Sequence, residues 1–441
     1  MSESAFRPVH LVAHFPGVNS TTVWSDPRAG SQIDFSSFEH FARTAERGLF
    51  DYVFLAEGLR LREQKGRLHD LDVAGRPHTL TVLAALAAVT ERIGLVGTLS
   101  STFNEPAELA RALGTLDALS GGRSGWNVVT SSDAFHGGNF RRGGYLDLGE
   151  RYERAAEVVQ ATKQLWAAAG TGEEVGFHGR QVDITAVPNT PASPQGHPVI
   201  VQAGDSPAGR DFAAAHAEVI FTRHAAGREG QEFYRDVKGR LARTGRDEDS
   251  LLILPGAGFV LGDTEAEARA NADEIAHQQI SGPTAVSLLE QVWGTDLSEL
   301  DPDGPLPSFD PVDAKLRRGQ VRQFGDPQAT AAAWRAKAER EHLSAREVVI
   351  ATTSRPAYIG TPHQVALALA EAVRDRVSDG FVLVPHLTPS GLDEFVDKVV
   401  PELQDLGAYR TAYPDQGTLR DILGLPYPVA ESAGVPAGVG A

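Results

Sequence analysis

Eight apolar runs of strand length, almost all followed by a stretch of helical spacing, constrain this chain more than any other feature. They lie at residues 9–15, 52–55, 93–98, 123–129, 199–203, 218–222, 251–254 and 380–384. Their residues are continuously apolar rather than alternating, which calls for a parallel sheet buried on both faces. Eight strand–helix units favour closure, so the expected fold class is α/β, a (β/α)8 TIM barrel. An open doubly wound sheet is the runner-up. It is weakened because no strand is followed by a Gly-x-Gly-x-x-Gly turn; the nearest approach, at 204–209, lacks the spacing.

The helices expected between the strands lie near 35–49, 80–90, 106–119, 150–169, 207–216, 231–244, 264–279, 361–373 and 392–406. Pro106 falls in a first helical turn, where its missing N–H costs nothing. Residues 175–184 alternate around a central His-Gly and read as a small hairpin. Residues 281–357 break the rhythm with Pro-rich segments and a helix near 329–341. This is an insertion before the last strand, either a lid or an interface element. Residues 1–425 are thus expected to form one domain, and 426–441 a loose Pro/Gly/Ala-rich tail.

Composition excludes several classes. The chain has no cysteine among its 441 residues, so thiolate catalysis, Cys-ligated metal and disulfides are out. The formal charge of −17 repels phosphate backbones and anionic membranes, which argues against nucleic acid and membrane partners. No apolar run approaches the ~20 residues of a membrane span. Residues 1–8 lack a basic stretch followed by an apolar one, so no signal peptide is expected and a cytoplasmic location fits.

In a barrel of this kind the site lies at the C-terminal strand ends. Reading these off gives His14, Glu57, Thr98, Ser100, Ser101, Asn127, Thr130, Ser131, Gln202, Asp205, Ser206, Arg223, His224, Pro255, Gly256 and His386. The set is rich in hydroxyls and amides and poor in paired carboxylates. It suits a flat cofactor with polar edges and does not suit glycoside hydrolysis. The segment 204–210 joins a strand to a helix, where free N–H groups and the helix dipole favour an anion. Ser206 there is either a phosphate ligand or a helix N-cap. Glu57 is a hydrogen-bond acceptor or base, or else a rim salt bridge. His136, in the Gly-rich loop 133–139, is a proton-transfer group or a solvated histidine. No His/Glu pair has metal-ligand spacing on a helix, and the loop cluster at 69–72 is a weak exception, so no metal is expected.

Several blocks carry a resemblance. They are Ser120-Gly-Gly-Arg-Ser-Gly-Trp-Asn-Val-Val-Thr-Ser131, Ala45-Glu-Arg-Gly-Leu-Phe-Asp-Tyr-Val-Phe-Leu-Ala56, Gly97-Thr-Leu-Ser-Ser-Thr-Phe-Asn-Glu-Pro106, the Arg151-Tyr152 helix start, Gln202-Ala-Gly-Asp-Ser-Pro-Ala-Gly-Arg210 and Thr418-Leu-Arg-Asp-Ile-Leu-Gly-Leu425. Together they resemble the flavin-dependent monooxygenases related to nitrilotriacetate and dibenzothiophene-sulfone monooxygenases, within the bacterial luciferase-like superfamily. The resemblance implies FMN, used as FMNH2, with O2 as cosubstrate. It implies an NAD(P)H:flavin reductase that supplies the reduced cofactor, and a homodimer or homotetramer. One oxygen atom would pass to a small organic substrate such as a sulfone, a chelating amine, a halogenated aromatic or an alkyl sulfide. It also implies cofactor contacts from Glu57, Thr98, Asn127, Thr130, Tyr152 and Ser206, with Asn127 and His136 as catalytic candidates. The departures are Glu57 in place of the usual Asp, Leu148 in place of a frequent His, and Trp24-Ser25 in place of a Trp-Arg pair. A deazaflavin-dependent oxidoreductase and a non-catalytic flavin-binding protein are the alternatives.

Overall fold

The computed structural model describes residues 6–16, 22–59, 77–131, 148–312, 324–354, 357–415 and 417–428, with backbone alone at 63–64, 67–68 and 148–149. Eight parallel strands close on themselves: β1 His10–His14, β2 Tyr52–Leu55, β3 Gly94–Ser100, β4 Ser124–Val129, β5 Val199–Ala203, β6 Val219–Thr222, β7 Leu252–Leu261 and β8 Gly380–Leu383. Each pairs with its neighbours in sequence, and β8 returns to β1 through His10↔Gly380. The barrel expectation holds.

The first six strands are followed by α1 Phe35–Arg47, α2 Thr79–Ala87, α3 Pro106–Ser120, α4 Leu148–Ala167, α5 Pro207–His216 and α6 Gly227–Leu241. Local chemistry sets their ends. Pro106 opens α3, and Gly121 and Gly122 end it at φ 68° and 86°, a left-handed turn open to glycine at little cost. The expected hairpin is present as Val175–His178 paired with Asp183–Ala186.

Strand β7 departs from expectation. The Pro255-Gly256 pair reads as a strand end, yet β7 continues to Leu261. It leaves β6 at Pro255, pairs with β8 at Gly256 and Ala257, and then pairs through Gly258–Leu261 with an unforeseen strand, Ala357–Gly360. Between these two partners lie α7 Glu265–Gln279, α8 Gly282–Trp293, α9 Pro327–Glu341 and α10 Ala345–Thr353. Helices α8 to α10 pack around Trp293, Trp334, Val348 and Val349, a core separate from that of the barrel. The chain then runs through α11 Pro362–Arg374 into β8, and on to α12 Val400–Asp405 and α13 Leu419–Leu423.

The barrel interior is filled by Val12, Tyr52, Phe54, Val96, Val199, Val201, Val219, Leu252, Leu254 and Val382. Its N-terminal end is stoppered by Leu419, Leu423 and Leu425 from the C-terminal segment. Fully burying each such leucine contributes about 1.5–3 kcal/mol. Gly94 and Gly125 make room for the stopper, since a Cβ on Gly94 would collide with Leu419. Arg420 is 0% exposed and holds the stopper by bonding Glu218 and the carbonyls of Gln195 (3.0 Å) and Pro426 (2.9 Å). With that end closed, the C-terminal rim is the open face. No helix among the described residues is long and apolar enough to cross a membrane.

Candidate functional site

The rim is built first by register. Thr98 on β3 stands opposite Asn127 on β4. Trp126 and Val128 face the surrounding helices, so Asn127 faces the barrel interior. Thr98 and Asn127 are 5% and 3% exposed, and Asn127 Nδ2 donates to Thr98 Oγ1 at 2.9 Å. Asn127 Oδ1 is buried and has no hydrogen-bond partner among the described residues. A buried carbonyl left in that state costs about 1–3 kcal/mol, so it is a place where a ligand N–H completes the structure.

Above this pair, Ser100 Oγ and Ser131 Oγ share a hydrogen bond at 2.7 Å, with Thr130 half-buried between the strand end and Ser131. Glu57 follows β2 and is half-buried. Burial pushes its carboxyl up to about 7, while the backbone N–H of Ser100 pulls the other way. It is therefore not a rim salt bridge with a described residue.

Helix α4 fixes the rim loops. Arg151 Nη1 donates to Ser131 O at 3.3 Å, and Arg154 donates to the carbonyls of Ser101, Asn104 and Gln181 at 2.9–3.1 Å. Between these two arginines Tyr152 turns the other way. Its ring lies 5.8 Å from that of Phe212 on α5. Its hydroxyl sits over Gly209, where a Cβ would lie only 2.8 Å from the oxygen.

The N-terminus of α5 is the second part of the site. Ser206 Oγ accepts the Gly209 N–H at 3.1 Å, so the N-cap reading is correct. Capping uses a lone pair only, and the hydroxyl hydrogen remains able to donate. A Cβ on Gly204 would lie 3.0 Å from the Gly209 Cα, and one on Gly209 equally near the Gly204 Cα. That close approach leaves a concave turn at the positive end of the helix dipole, which favours an anion. The carboxylate in this turn, Asp205, is engaged by Thr222 Oγ1 at 2.9 Å and Arg223 Nε at 3.0 Å, so it does not oppose an anion unscreened.

On the opposite side of the rim the β1–α1 segment is fastened to the loop after β8. Val23 N–H donates to His386 O at 2.8 Å, and Gly30 N–H to Thr388 O at 2.6 Å. Burial, aided by nearby Arg28, holds His386 down at about 4, so its imidazole is neutral at neutral pH. Trp24 and Ser25 lie on this segment.

Of the residues read from sequence, Thr98 and Asn127 come together, as do Tyr152 and the helix that Ser206 caps. Glu57 and Thr130 stand on the same rim. His136 and the 69–72 cluster lie outside the described residues, as does the side chain of Leu148 at the first position of α4. Sequence reasoning missed the parts played by Arg154 and Gly209. The available signal was two arginines three apart on one face of a helix, the spacing at which neighbouring turns meet.

The whole arrangement fits a ligand with an anionic end at α5 and a flat, polar-edged body beside Thr98 and Asn127. The model of the luciferase-like monooxygenases matches residues 15–380. Nitrilotriacetate monooxygenase component A of Aminobacter aminovorans is 38% identical over 438 residues, spanning 92% of this chain and 93% of that protein. Dibenzothiophene-sulfone monooxygenase of Rhodococcus erythropolis (strain XP) is 35% identical, spanning 96% and 98%. The crystal structure of riboflavin lyase with modified FMN and riboflavin has a TM-score of 0.77 at 26% identity, covering 96% of this chain and 97% of that one. The chain belongs to the luciferase-like monooxygenase family and is a flavin-dependent monooxygenase.

Proposed function

We propose that this chain is the oxygenating half of a two-component system. It takes reduced FMN from a separate NAD(P)H:flavin reductase and inserts one atom of O2 into a small organic substrate. One observation carries the reading: the Tyr152 hydroxyl stands over Gly209, beside Ser206, at the N-terminus of α5. That seat suits a terminal phosphate, which distinguishes FMN from riboflavin. The unpartnered Asn127 Oδ1 suits an N–H on the ring edge.

Bound there, reduced FMN supplies two electrons to O2, so that one oxygen atom enters the substrate and the other leaves as water. The protein's part is to hold and shield. Ser206 and Tyr152 bind the phosphate as hydroxyl donors, and Thr98 and Asn127 orient the ring edge. Arg151 and Arg154 keep the rim loops in place. The segment 281–357, rooted at the rim by the pairing of Gly258–Leu261 with Ala357–Gly360, acts as the lid that excludes water. The substrate enters from the side of Trp24 and Ser25, where the chain departs from the pattern it resembles. The relative named component A is consistent with a system of more than one part.

The experiment supplies the enzyme with a flavin reductase, NADH, FMN and isotopically labelled dioxygen, and screens sulfones, chelating amines, halogenated aromatics and alkyl sulfides. One labelled atom per product molecule is the expected result. A product that takes its oxygen from water, or none at all from the panel with flavin bound, would count against oxygen insertion.

A further inference from the structure

The segment that joins β1 to α1 is a thin cover over the rim beside β8. It is tied down by Val23 N–H to His386 O (2.8 Å), by Gly30 N–H to Thr388 O (2.6 Å) and by Thr388 Oγ1 to Pro16 O (2.9 Å). Its outer side is in water, since Ser25, Pro27 and Arg28 are exposed. Its inner side is not: Thr22 and Val23 are 2% and 0% exposed. Two buried polar atoms flank Val23 with no hydrogen-bond partner among the described residues, Thr22 Oγ1 and Trp24 Nε1. Each is desolvated without a replacement bond, which lowers the stability of the fold.

The two atoms specify what would complete them. An indole N–H only donates, and a threonine hydroxyl is able to donate, so one accepting group serves both. The charge of that group is specified as well. Arg28, the cation of residues 22–30, gives Nε and Nη2 to Asp26 at 3.0 and 2.7 Å. Ser25 stands where the resembled pattern has an arginine. The imidazole of His386, whose carbonyl holds Val23, is neutral at neutral pH. A carboxylate brought here would lose water without meeting an unengaged cation of these residues, which is costly. An uncharged acceptor has no such penalty.

We propose that Trp24 Nε1–H and Thr22 Oγ1–H form a substrate subsite that binds an uncharged, strongly accepting oxygen, that of a sulfonyl or a carbonyl group. Substrates of this enzyme therefore carry such a group, and carboxylates and plain sulfides are disfavoured. The inference rests on the flavin monooxygenase reading above and narrows its substrate.

Two measurements test it. The first needs no ligand. Thr22→Val nearly keeps the shape and removes the stranded hydroxyl, so the thermal midpoint of the ligand-free variant should equal or exceed that of wild type. A clearly lower midpoint would mean that the hydroxyl is bonded within the fold, and would overturn the subsite.

The second measurement is calorimetric titration of the protein with oxidised FMN bound, using probes built on one five-membered ring: sulfolane, cyclopentanone, tetrahydrothiophene and cyclopentanecarboxylate. Sulfolane, cyclopentanone or both should bind about tenfold tighter than the sulfide and the carboxylate. A tighter sulfolane assigns the subsite to sulfonyl groups, and a tighter cyclopentanone to carbonyls. Thr22→Val and Trp24→Phe should each erase about threefold to tenfold of that preference, with FMN affinity as in wild type. Equal binding of all the probes, tightest binding of the carboxylate or the sulfide, or no binding of any probe to the FMN-bound protein would overturn the inference alone. Failure of FMN itself to bind wild type would overturn the flavin reading and the inference with it.

Discussion

Gly209→Ala is the sharpest probe of the phosphate seat. The added Cβ would lie 2.8 Å from Tyr152 Oη, 3.0 Å from Gly204 Cα and 3.1 Å from Gly204 C. The tyrosine can swing away, because it is the end of a side chain. Gly204 is backbone and yields only if the β5–α5 turn opens by a few tenths of an ångström. Alanine in a helix is itself worth about 0.5–1 kcal/mol over glycine. Strain and helix gain therefore oppose each other, and the net change in stability should be small. Binding has no such compensation. A hydrogen bond to a charged group contributes about 1.5–3 kcal/mol, so losing the Tyr152 hydroxyl should weaken FMN about tenfold to a hundredfold. Quenching of flavin fluorescence reads the affinity, and riboflavin, which lacks the phosphate, should bind as before. The matched control is Gly239→Ala, in α6 with no atom within 4 Å of the new Cβ. It should raise stability by about 0.5–1 kcal/mol and leave FMN binding alone. Undiminished FMN affinity in Gly209→Ala, or equal losses for FMN and riboflavin, would refute the phosphate seat.

Tyr152→Phe tests the same seat by deletion, and should weaken FMN by the same factor, about tenfold to a hundredfold, without touching riboflavin. Arg420→Met tests the stopper. It leaves Glu218 buried without its cation and should cost about 3–5 kcal/mol in urea unfolding at neutral pH. The pH dependence has a definite sign. Burial raises the Glu218 carboxyl, but His197 and Arg420 pull it down to about 2. Its contribution is therefore present above its ordinary 4.5 and lost as pH falls toward 2. The gap between wild type and Arg420→Met should narrow over that acid range; a gap independent of pH would show that the pair adds nothing.

Much of the fold is legible because parallel barrel strands announce themselves locally. Tyr52–Leu55 and Val199–Ala203 are bounded by polar or turn residues, and the structure has them at the expected bounds. Strand β7 is not legible past Pro255. Its continuation depends on Ala357–Gly360, a partner nearly a hundred positions on, and no local pattern reports such a pairing. Helices α8 and α10 are hidden for a related reason: their apolar faces pack mainly on each other and on α9. In the site, residue types at strand ends point to Thr98 and Asn127, but the seat over Gly209 joins residues from two helices. The resemblance implies cofactor contacts from both Tyr152 and Ser206, and the packing of Tyr152 on Phe212 shows how Gly209 comes to lie under the hydroxyl. The environment of Glu57 is least legible of all, because what defines it is the lack of a charged neighbour among the described residues.

The two ends of one strand show how stability and binding are separated. Beneath the start of β4, Asp117 of α3 is fully buried and accepts four bonds: from Ser124 N–H (3.2 Å), Ser124 Oγ (3.0 Å), Ser193 Oγ (2.6 Å) and Gln195 Nε2 (2.6 Å). Toward its other end Asn127 makes one bond through Nδ2, and its Oδ1 has no partner among the described residues. The single bond contributes about 0.5–1.5 kcal/mol, and the unpartnered carbonyl costs about as much or more. Asn127→Leu, similar in shape and without either group, should therefore leave stability in the ligand-free protein unchanged within about 1 kcal/mol, or raise it, while FMN and riboflavin both bind at least tenfold more weakly. Asp117→Leu strands four donors and should lower stability by several kcal/mol, with flavin affinity intact in the protein that remains folded. A large loss of stability in ligand-free Asn127→Leu would mean that its carbonyl is satisfied within the fold, and the case for a ligand N–H at that position would fall. Because protein groups saturate Asp117 and leave Asn127 incomplete, selection on stability alone accounts for the first residue and not for the second.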